Sequence, residues 1–408
     1  MTSATAKAVG PAPDGGTPAE GRDGSTPDLG QRIAAVTRAA EEHLDETERD
    51  AVFPEHALAE MRRTGLLGLL VPVEYGGLGG TVTDLVDVSM ALGRTDMSVA
   101  MILAMHCQQS EAIVRYAASG LREELLRQLA SGHLYLASVT TEPGKGGHLF
   151  RSYAPLREGE DTLEINRTAP IVTGGTVADG FLITMRSPQA TADHHVSLVY
   201  AHRHQLRVEG AGVWCPMGMR ASHSVPLTLT GTIPARQVIG EHGAFHRIAQ
   251  SVFGPLAHLG WSAAWLGTAA GALSRVLRLL RDPAGRKRLD LGSELLMTRL
   301  SRARARLDTV HALLRRTEAL VASGADLSAA SSQLLLNNLK ITAAEECYRA
   351  VDLLVDAVGL RHGYLQDSPT RLEKTLRDLR SAVLNYSNDR LHLADGQLCL
   401  LDPGVRFA

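Results

Sequence analysis

Cysteine is scarce in this chain. Its four residues, Cys107, Cys215, Cys347 and Cys399, lie far apart with no Cys-x-x-Cys or Cys/His spacing, which argues against a disulfide framework and a zinc site. Aromatic residues make up only 4 %, low for a surface that stacks bases. Neither charge dominates: 42 basic against 44 acidic residues leave a formal charge of −2, so no global field draws the protein to nucleic acid or anionic membrane. An uninterrupted membrane-length apolar run is also missing. The longest candidate, residues 251–273, contains His258 and leads into Arg275, Arg278 and Arg281 on one helical pattern, so a buried bundle helix is expected there. The first 28 residues, rich in Gly, Pro, Thr, Ala and Asp, lack the basic start and apolar core of a signal peptide and are expected to form a disordered tail. A reducing, cytoplasmic compartment fits these features.

What is present is a texture that changes twice along the chain. Residues 29–134 read as a small helical domain, with amphipathic stretches near 83–94, 97–116 and 120–131 and a Gly/Pro-rich break at Val71-Pro72-Val-Glu-Tyr-Gly-Gly-Leu-Gly-Gly80. Residues 135–243 carry short β-like runs, including Leu163-Glu-Ile165, Gly180–Thr184, Val196–Tyr200 and Pro226–Thr230, separated by turn residues, as in a β-sandwich or barrel. The helical period returns over 244–408 in four long segments, near 246–281, 290–323, 328–358 and 370–400, predicting a four-helix bundle. The expected fold is therefore α+β, with a helical domain, a middle β domain and a C-terminal bundle.

Within this frame, Leu136-Ala-Ser-Val-Thr-Thr-Glu-Pro-Gly144 resembles the flavin-binding signature of the acyl-CoA dehydrogenase superfamily. Further stretches are similar to that family in the same order. They are Phe53-Pro54, Gly65–Gly79, Asp96–His106, Ile171-Val-Thr-Gly-Gly175, Met217–Ser222, Val238–Gly243 and Arg377-Asp-Leu-Arg380. The Met217–Ser222 stretch resembles the strand that closes the family's β domain. The resemblance implies FAD as cofactor, with Ser138, Val139, Thr140, Thr141, Ile171, Val172 and Thr173 along the flavin ring. It also implies an acyl thioester substrate on coenzyme A or an acyl carrier protein, an electron-transfer or reductase partner, and a homodimer or homotetramer.

Several family positions hold other residues. Gly146-Gly147-His148 stands where the family has Gly-Ser-Asp, so Gly147 replaces a serine hydroxyl near flavin and thioester, and His148 reads as a turn residue. Ile171 replaces a tryptophan wall, and an aliphatic side chain offers no indole face for stacking. The family's Arg-x-x-Phe-Gly is absent; Arg286 or Arg288 stands in as a phosphate contact, or the stretch is a solvated basic loop.

Removing an α-proton from a thioester requires a carboxylate whose basicity burial has raised. The family's glutamate position, eight residues after Asp378, holds Tyr386, and the alternative position seven residues before Gly254-Pro255 holds Arg247. Tyr386 and the nearby Asp389 are the candidate catalytic residues. Tyrosine is a poor base at neutral pH unless perturbed, and a packed aromatic role for Tyr386 stands beside the catalytic one. Glu345 and Glu346 read as solvated helix charges. Three functions fit: a flavin-dependent acyl-thioester dehydrogenase with a relocated base, a flavin monooxygenase on the same fold, and a non-redox enzyme or scaffold without flavin.

Overall fold

A computed structural model describes residues 28–210, 212–286, 289–402 and 404. All but Asp28 of the expected N-terminal tail lies outside these residues. The first layer contains α1 (Leu29–Glu42), α2 (Leu44–Asp50), α3 (Glu55–Arg63), α4 (Val82–Gly93), α5 (Met97–Tyr116) and α6 (Ser119–Ala130). Their starts follow from capping chemistry. Asp28 accepts from the Gln31 N–H, Thr81 and Asp84 form a reciprocal capping box on α4, and Asp96 accepts from the Val99 N–H to begin α5.

The middle region is a pair of four-stranded sheets. One has the order β1 (Leu136–Val139), β4 (Gly180–Arg186), β5 (Val196–His202), β8 (Val238–Ile239). The other runs β2 (Arg157–Glu158), β3 (Thr162–Val172), β7 (Val225–Pro234), β6 (Leu206–Gly210). Along most of β3, buried and exposed residues alternate, so one face meets the core, whereas β4 and β5 are buried almost throughout. β1 pairs in parallel with β4 and brings Ser138 opposite Leu182. Met217–Ser222, expected to be a strand, is a loop ending in a 3₁₀ turn; Met219 has φ 56°, which is incompatible with an extended ladder.

The C-terminal region begins with α7 (Phe245–Ile248), passes through a π-helical turn (Ala249–Phe253) and continues as α8 (Gly254–Arg281). The stretch proposed as a buried bundle helix lies mainly in α8, where Trp265 is fully buried. Then follow α9 (Pro283–Arg286), α10 (Glu294–Ala322) and α11 (Ala330–Gly359). The last expected helix is instead two, α12 (Leu372–Arg380) and α13 (Asn388–Leu398), separated by residues 381–387. No helix among the described residues is long and apolar enough to cross a membrane.

A buried ionic cluster joins the three regions. Lys374 of α12 lies 2.7 Å from Asp378, 3.2 Å from Asp96 and 3.7 Å from Glu48. Burial alone pushes the Lys374 pKa down, but these three carboxylates outweigh it and hold the ammonium above its ordinary value. Asp378 accepts from the Met219 N–H at 2.6 Å, and Arg377 donates to the Met217 carbonyl at 2.7 Å and pairs with Glu48. Between these contacts, a Cβ on Gly218 would lie 2.2 Å from the Arg377 carbonyl oxygen. We expect Gly218→Ala to cost about 1–3 kcal/mol by overpacking. Gly120→Ala, with open space around the new methyl group, should be neutral or stabilise by up to about 1 kcal/mol. Urea unfolding of the two variants tests the contrast; equal stabilities would refute it.

Candidate functional site

A cavity of about 1080 Å³ opens where α5, the end of β1, the 214–219 loop, the π-turn and α8, α11, and the α12–α13 connection meet. Its walls are largely apolar, with Met101, Met105, Ile171, Trp214, Phe253 and Trp261 among them. The Ser138 and Thr140 side chains line one wall, and neither hydroxyl has a partner among the described residues.

That wall is built from behind by buried polar contacts. His106 of α5 donates to the Leu67 carbonyl at 2.9 Å and accepts from the Leu136 N–H at 3.1 Å, fixing the start of β1 against the helical layer. Burial lowers the His106 pKa to about 4, consistent with a neutral ring that donates from one nitrogen and accepts at the other. Glu142 accepts from the N–H groups of Tyr153 (3.0 Å) and Ala154 (2.6 Å) and from Ser152 (3.2 Å). It also faces the fully buried Arg167 at 3.5 Å. Arg167 donates to the carbonyls of Thr141 (2.7 Å), Thr168 (2.8 Å) and Thr184 (3.1 Å). The Thr-Glu-Pro turn is therefore held through the Thr141 carbonyl and the Glu142 carboxylate, leaving its other side to the cavity. Thr141 Oγ donates to the Ile171 carbonyl at 2.9 Å, coupling the two stretches identified by resemblance. Beneath the turn, Lys145 Nζ donates to the Thr140 carbonyl at 2.8 Å, and burial lowers its pKa to about 8.

On the opposite side, Lys340 explains the break before α13. Its Nζ donates to the carbonyls of Ala382 and Tyr386, each at 3.1 Å, and to Asn388 Oδ1 at 2.7 Å. It also sits 5.6 Å from the Trp265 ring centre. An amino group donating to these oxygens stabilises carbonyls that a continuous helix would spend on its own N–H groups. Tyr386 has φ 52° within this break and lines the cavity, 6.3 Å ring to ring from His258. His258 Nδ1 donates to the Leu336 carbonyl at 3.2 Å, leaving Nε2 as the acceptor of a neutral ring; burial, with Lys340 nearby, lowers its pKa to about 3. Burial raises the Tyr386 pKa despite the opposing charge of Arg390, so its hydroxyl remains a donor rather than a base at neutral pH.

Ser138, Thr140, Thr141, Gly147, Ile171, Thr173 and Tyr386 converge on the cavity. The side chains of Val139 and Val172 instead join the hydrophobic core, and neither residue is part of the cavity lining. Asp389 is displaced from its expected role: it is exposed on the first turn of α13 and is not part of the cavity lining. Arg247 is also on the surface, 3.6 Å from Glu241. Glu345 and Glu346 pair with Arg349. The side chain of Arg286 and all of Arg288 lie outside the described residues. Lys340 and Arg390 were missed as candidate site residues because each sits alone in an unremarkable helical pattern, and His258 was read only as an interruption of an apolar stretch. Among the described residues, no His/Cys/Asp/Glu group could hold a metal ion.

Residues 31–133 match the N-terminal domain of acyl-CoA dehydrogenase and residues 259–386 its C-terminal domain. The chain is 24 % identical over 394 residues to the mitochondrial very long-chain specific acyl-CoA dehydrogenase of Bos taurus; this covers 93 % of the chain but 59 % of that protein's length. It is also 24 % identical over 356 residues to the acryloyl-CoA reductase (NADH) of Anaerotignum propionicum, covering 85 % of the chain and 87 % of the reductase. The FMN-bound structure of TdsC from Paenibacillus sp. A11-2 superposes with a TM-score of 0.80 at 19 % identity, covering 91 % of this chain and 97 % of TdsC. TdsC is a dibenzothiophene monooxygenase.

Burial lowers the Lys340 pKa from 10.5 to about 7, with Glu345 opposing. The unfolded chain therefore binds the additional proton between these pH values, and this group's contribution to stability rises with pH across that window. Lys340→Met should remove that part of the pH dependence and loosen residues 381–387. Urea unfolding at pH 7 and 9, with hydrogen exchange of Tyr386 and Asn388, tests this; an unchanged pH slope would refute the assignment.

Proposed function

Because the chain belongs to the acyl-CoA dehydrogenase family of flavin oxidoreductases, we propose that it binds FAD along the Ser138–Thr141 wall and acts as an oxygen-dependent flavin monooxygenase on a largely apolar substrate. The observation that carries this reading is the acid inventory of the cavity. Among the described residues its only carboxylate is Glu142, whose two oxygens are occupied by Ser152, Tyr153, Ala154 and the facing Arg167. Dehydrogenation at the α and β carbons needs a free carboxylate base, whereas oxygen activation does not.

The residues fit a planar, hydrogen-bonding cofactor. Ser138 and Thr140 offer unpartnered hydroxyls, and Thr141 and Arg167 hold the turn in place from behind. Reduced flavin supplies the two electrons that allow one oxygen atom to enter the substrate and the other to leave as water. The protein's part is orientation, electrostatics and water exclusion. Apolar walls formed by Phe253, Trp261, Met101 and Met105 exclude water. Tyr386 donates a hydrogen bond to a developing oxygen, and His258 Nε2 accepts one from a substrate O–H or N–H. An external reductase completes the cycle. Exposed Ile171, Met217 and Leu384 at the cavity edge fit closure by a second copy of the chain in a homo-oligomer.

The second reading, oxidation of a thioester on coenzyme A or a carrier protein, is favoured by the relatives and by Arg380 and Arg390 at the cavity wall, which suit a phosphorylated arm. Flavin-loaded protein separates the readings. Substrate-dependent oxygen uptake with a reductase is expected, and anaerobic bleaching by acyl thioesters is not; the reverse pattern would establish dehydrogenation. Protein that fails to take up added flavin would refute both and support a scaffold. Tyr386→Phe should lower oxygenation about 10- to 100-fold without altering flavin affinity; unchanged turnover would remove Tyr386 from the chemistry.

A further inference from the structure

A buried polar pair stands at the cavity on its bundle side. Asn337 of α11 is 6 % exposed and belongs to the lining, and its Nδ2 donates to Asp395 Oδ1 of α13 at 2.6 Å. Asp395 is 8 % exposed, and its other oxygen is buried without a hydrogen-bond partner among the described residues. The pair lies one turn before Lys340 on α11 and two turns beyond Asn388 on α13, so the two antiparallel helices are tied at successive levels. Leu336, Leu391, Ala394 and Leu398 of the same helices also line the cavity, which sets the carboxamide in an apolar stretch of wall. Of the two glutamines these helices bring to the cavity, Gln333 donates to the Leu327 carbonyl and Gln397 is exposed.

Asp395 decides which way the carboxamide faces. A carboxylate accepts and does not donate, so the NH2 turns toward it and Oδ1 turns away. Burial raises the Asp395 pKa while Asn337 and His392 lower it, and Oδ1 of the carboxyl accepts from Asn337 in either protonation state. Asn337 Oδ1 has no donor among the described residues and is not sealed in the interior, so it opens to the cavity. His258 Nε2 is an acceptor of the same kind on α8, and the Leu336 carbonyl that holds its ring is next to Asn337 in the chain. Fixed acceptors in an apolar wall favour a ligand that brings hydrogen-bond donors, because an acceptor covered by an apolar ligand loses its water without replacement. The donor is a neutral one: Glu142 is already occupied, Asp395 stands behind Asn337 and outside the lining, and Arg377, Arg380 and Arg390 would repel an ammonium.

We infer that Asn337, oriented by Asp395, is a specificity-determining residue that selects a neutral, largely apolar substrate carrying an N–H or O–H donor, of the phenol or pyrrole-type class. Asn337 touches the substrate; Asp395 is a positioning residue that acts through it. The inference rests on the proposed reading in taking the cavity as the substrate site, and it concerns binding, not the chemistry with oxygen.

Calorimetry on the full-length protein as isolated compares near-isosteric probes with and without a donor: indole against benzofuran, and 2-naphthol against 2-fluoronaphthalene. Wild type is expected to bind the donor member of each pair about 10-fold tighter, the effect of one buried acceptor met or left unmet. Asn337→Leu should bring that ratio to about 2 or below by weakening the donor probe. Asp395→Leu, which releases the carboxamide, should lower the ratio in the same way, whereas Asp395→Asn, which can still accept from Asn337, should keep most of it. A merely structural loss would weaken both members and leave the ratio unchanged. Where circular dichroism shows that Asn337→Leu does not fold, Asn337→Ala takes its place. A ratio that survives in the Asn337 variant and vanishes in His258→Phe assigns the preference to His258 and overturns the proposal. Equal binding of both members by wild type, or binding of neither, also overturns it. Oxygen uptake is measured separately: a donor preference without oxygen-dependent turnover refutes the monooxygenase reading alone, and oxygen-dependent turnover without the preference refutes this inference alone.

Discussion

The site depends on one buried ammonium. Lys374 draws together Glu48 from α2, Asp96 at the start of α5 and Asp378 of α12, while Asp378 also receives the Met219 N–H from the β region. A buried cation with three carboxylates tolerates little displacement, because separation leaves charge without solvent or a partner. The cluster thereby fixes the angle between the helical layer, the β region and the bundle. The cavity lies where these regions meet, so its shape follows from that angle.

Two further buried basic groups set the walls at smaller scale. Arg167 holds the Thr-Glu-Pro turn through the Thr141 carbonyl and Glu142 and ties it to the carbonyls of Thr168 and Thr184, and Lys340 holds the interrupted helix through two carbonyls and Asn388. In both cases a buried basic side chain replaces regular secondary structure as the partner of backbone oxygens. The result is irregular backbone held in place at the two sides of the cavity, where functional groups are needed.

The order of helical, β and helical regions was legible because it rests on period, turn residues and caps, all local properties. The stretch from Leu136 to Gly144 and the one around Ile171 also point to the same site, and the Thr141 hydroxyl joins them. The break at residues 381–387 was not legible. Its neighbours continue a helical pattern, and the cause, Lys340, is more than forty residues away in sequence. Asp389 was read by proximity to Tyr386, yet the turn into α13 directs it to solvent. His258 was visible as an interruption in an apolar stretch, but its function depends on the Leu336 carbonyl that occupies one of its nitrogens, a partner on another helix.

The loop from Trp214 to Met219 combines a cavity-facing stretch with an end that has no room to move. Trp214, Pro216 and Met217 line the cavity, while Gly218 lies against the α12 backbone and Met219 is bonded to Asp378. In evolutionary terms, such a loop diversifies by exchange of side chains on a retained backbone. Insertions or deletions there would disturb the contact between regions, so descendants that acquire new substrates should differ at Trp214 and Met217 while keeping the loop's length and its glycine.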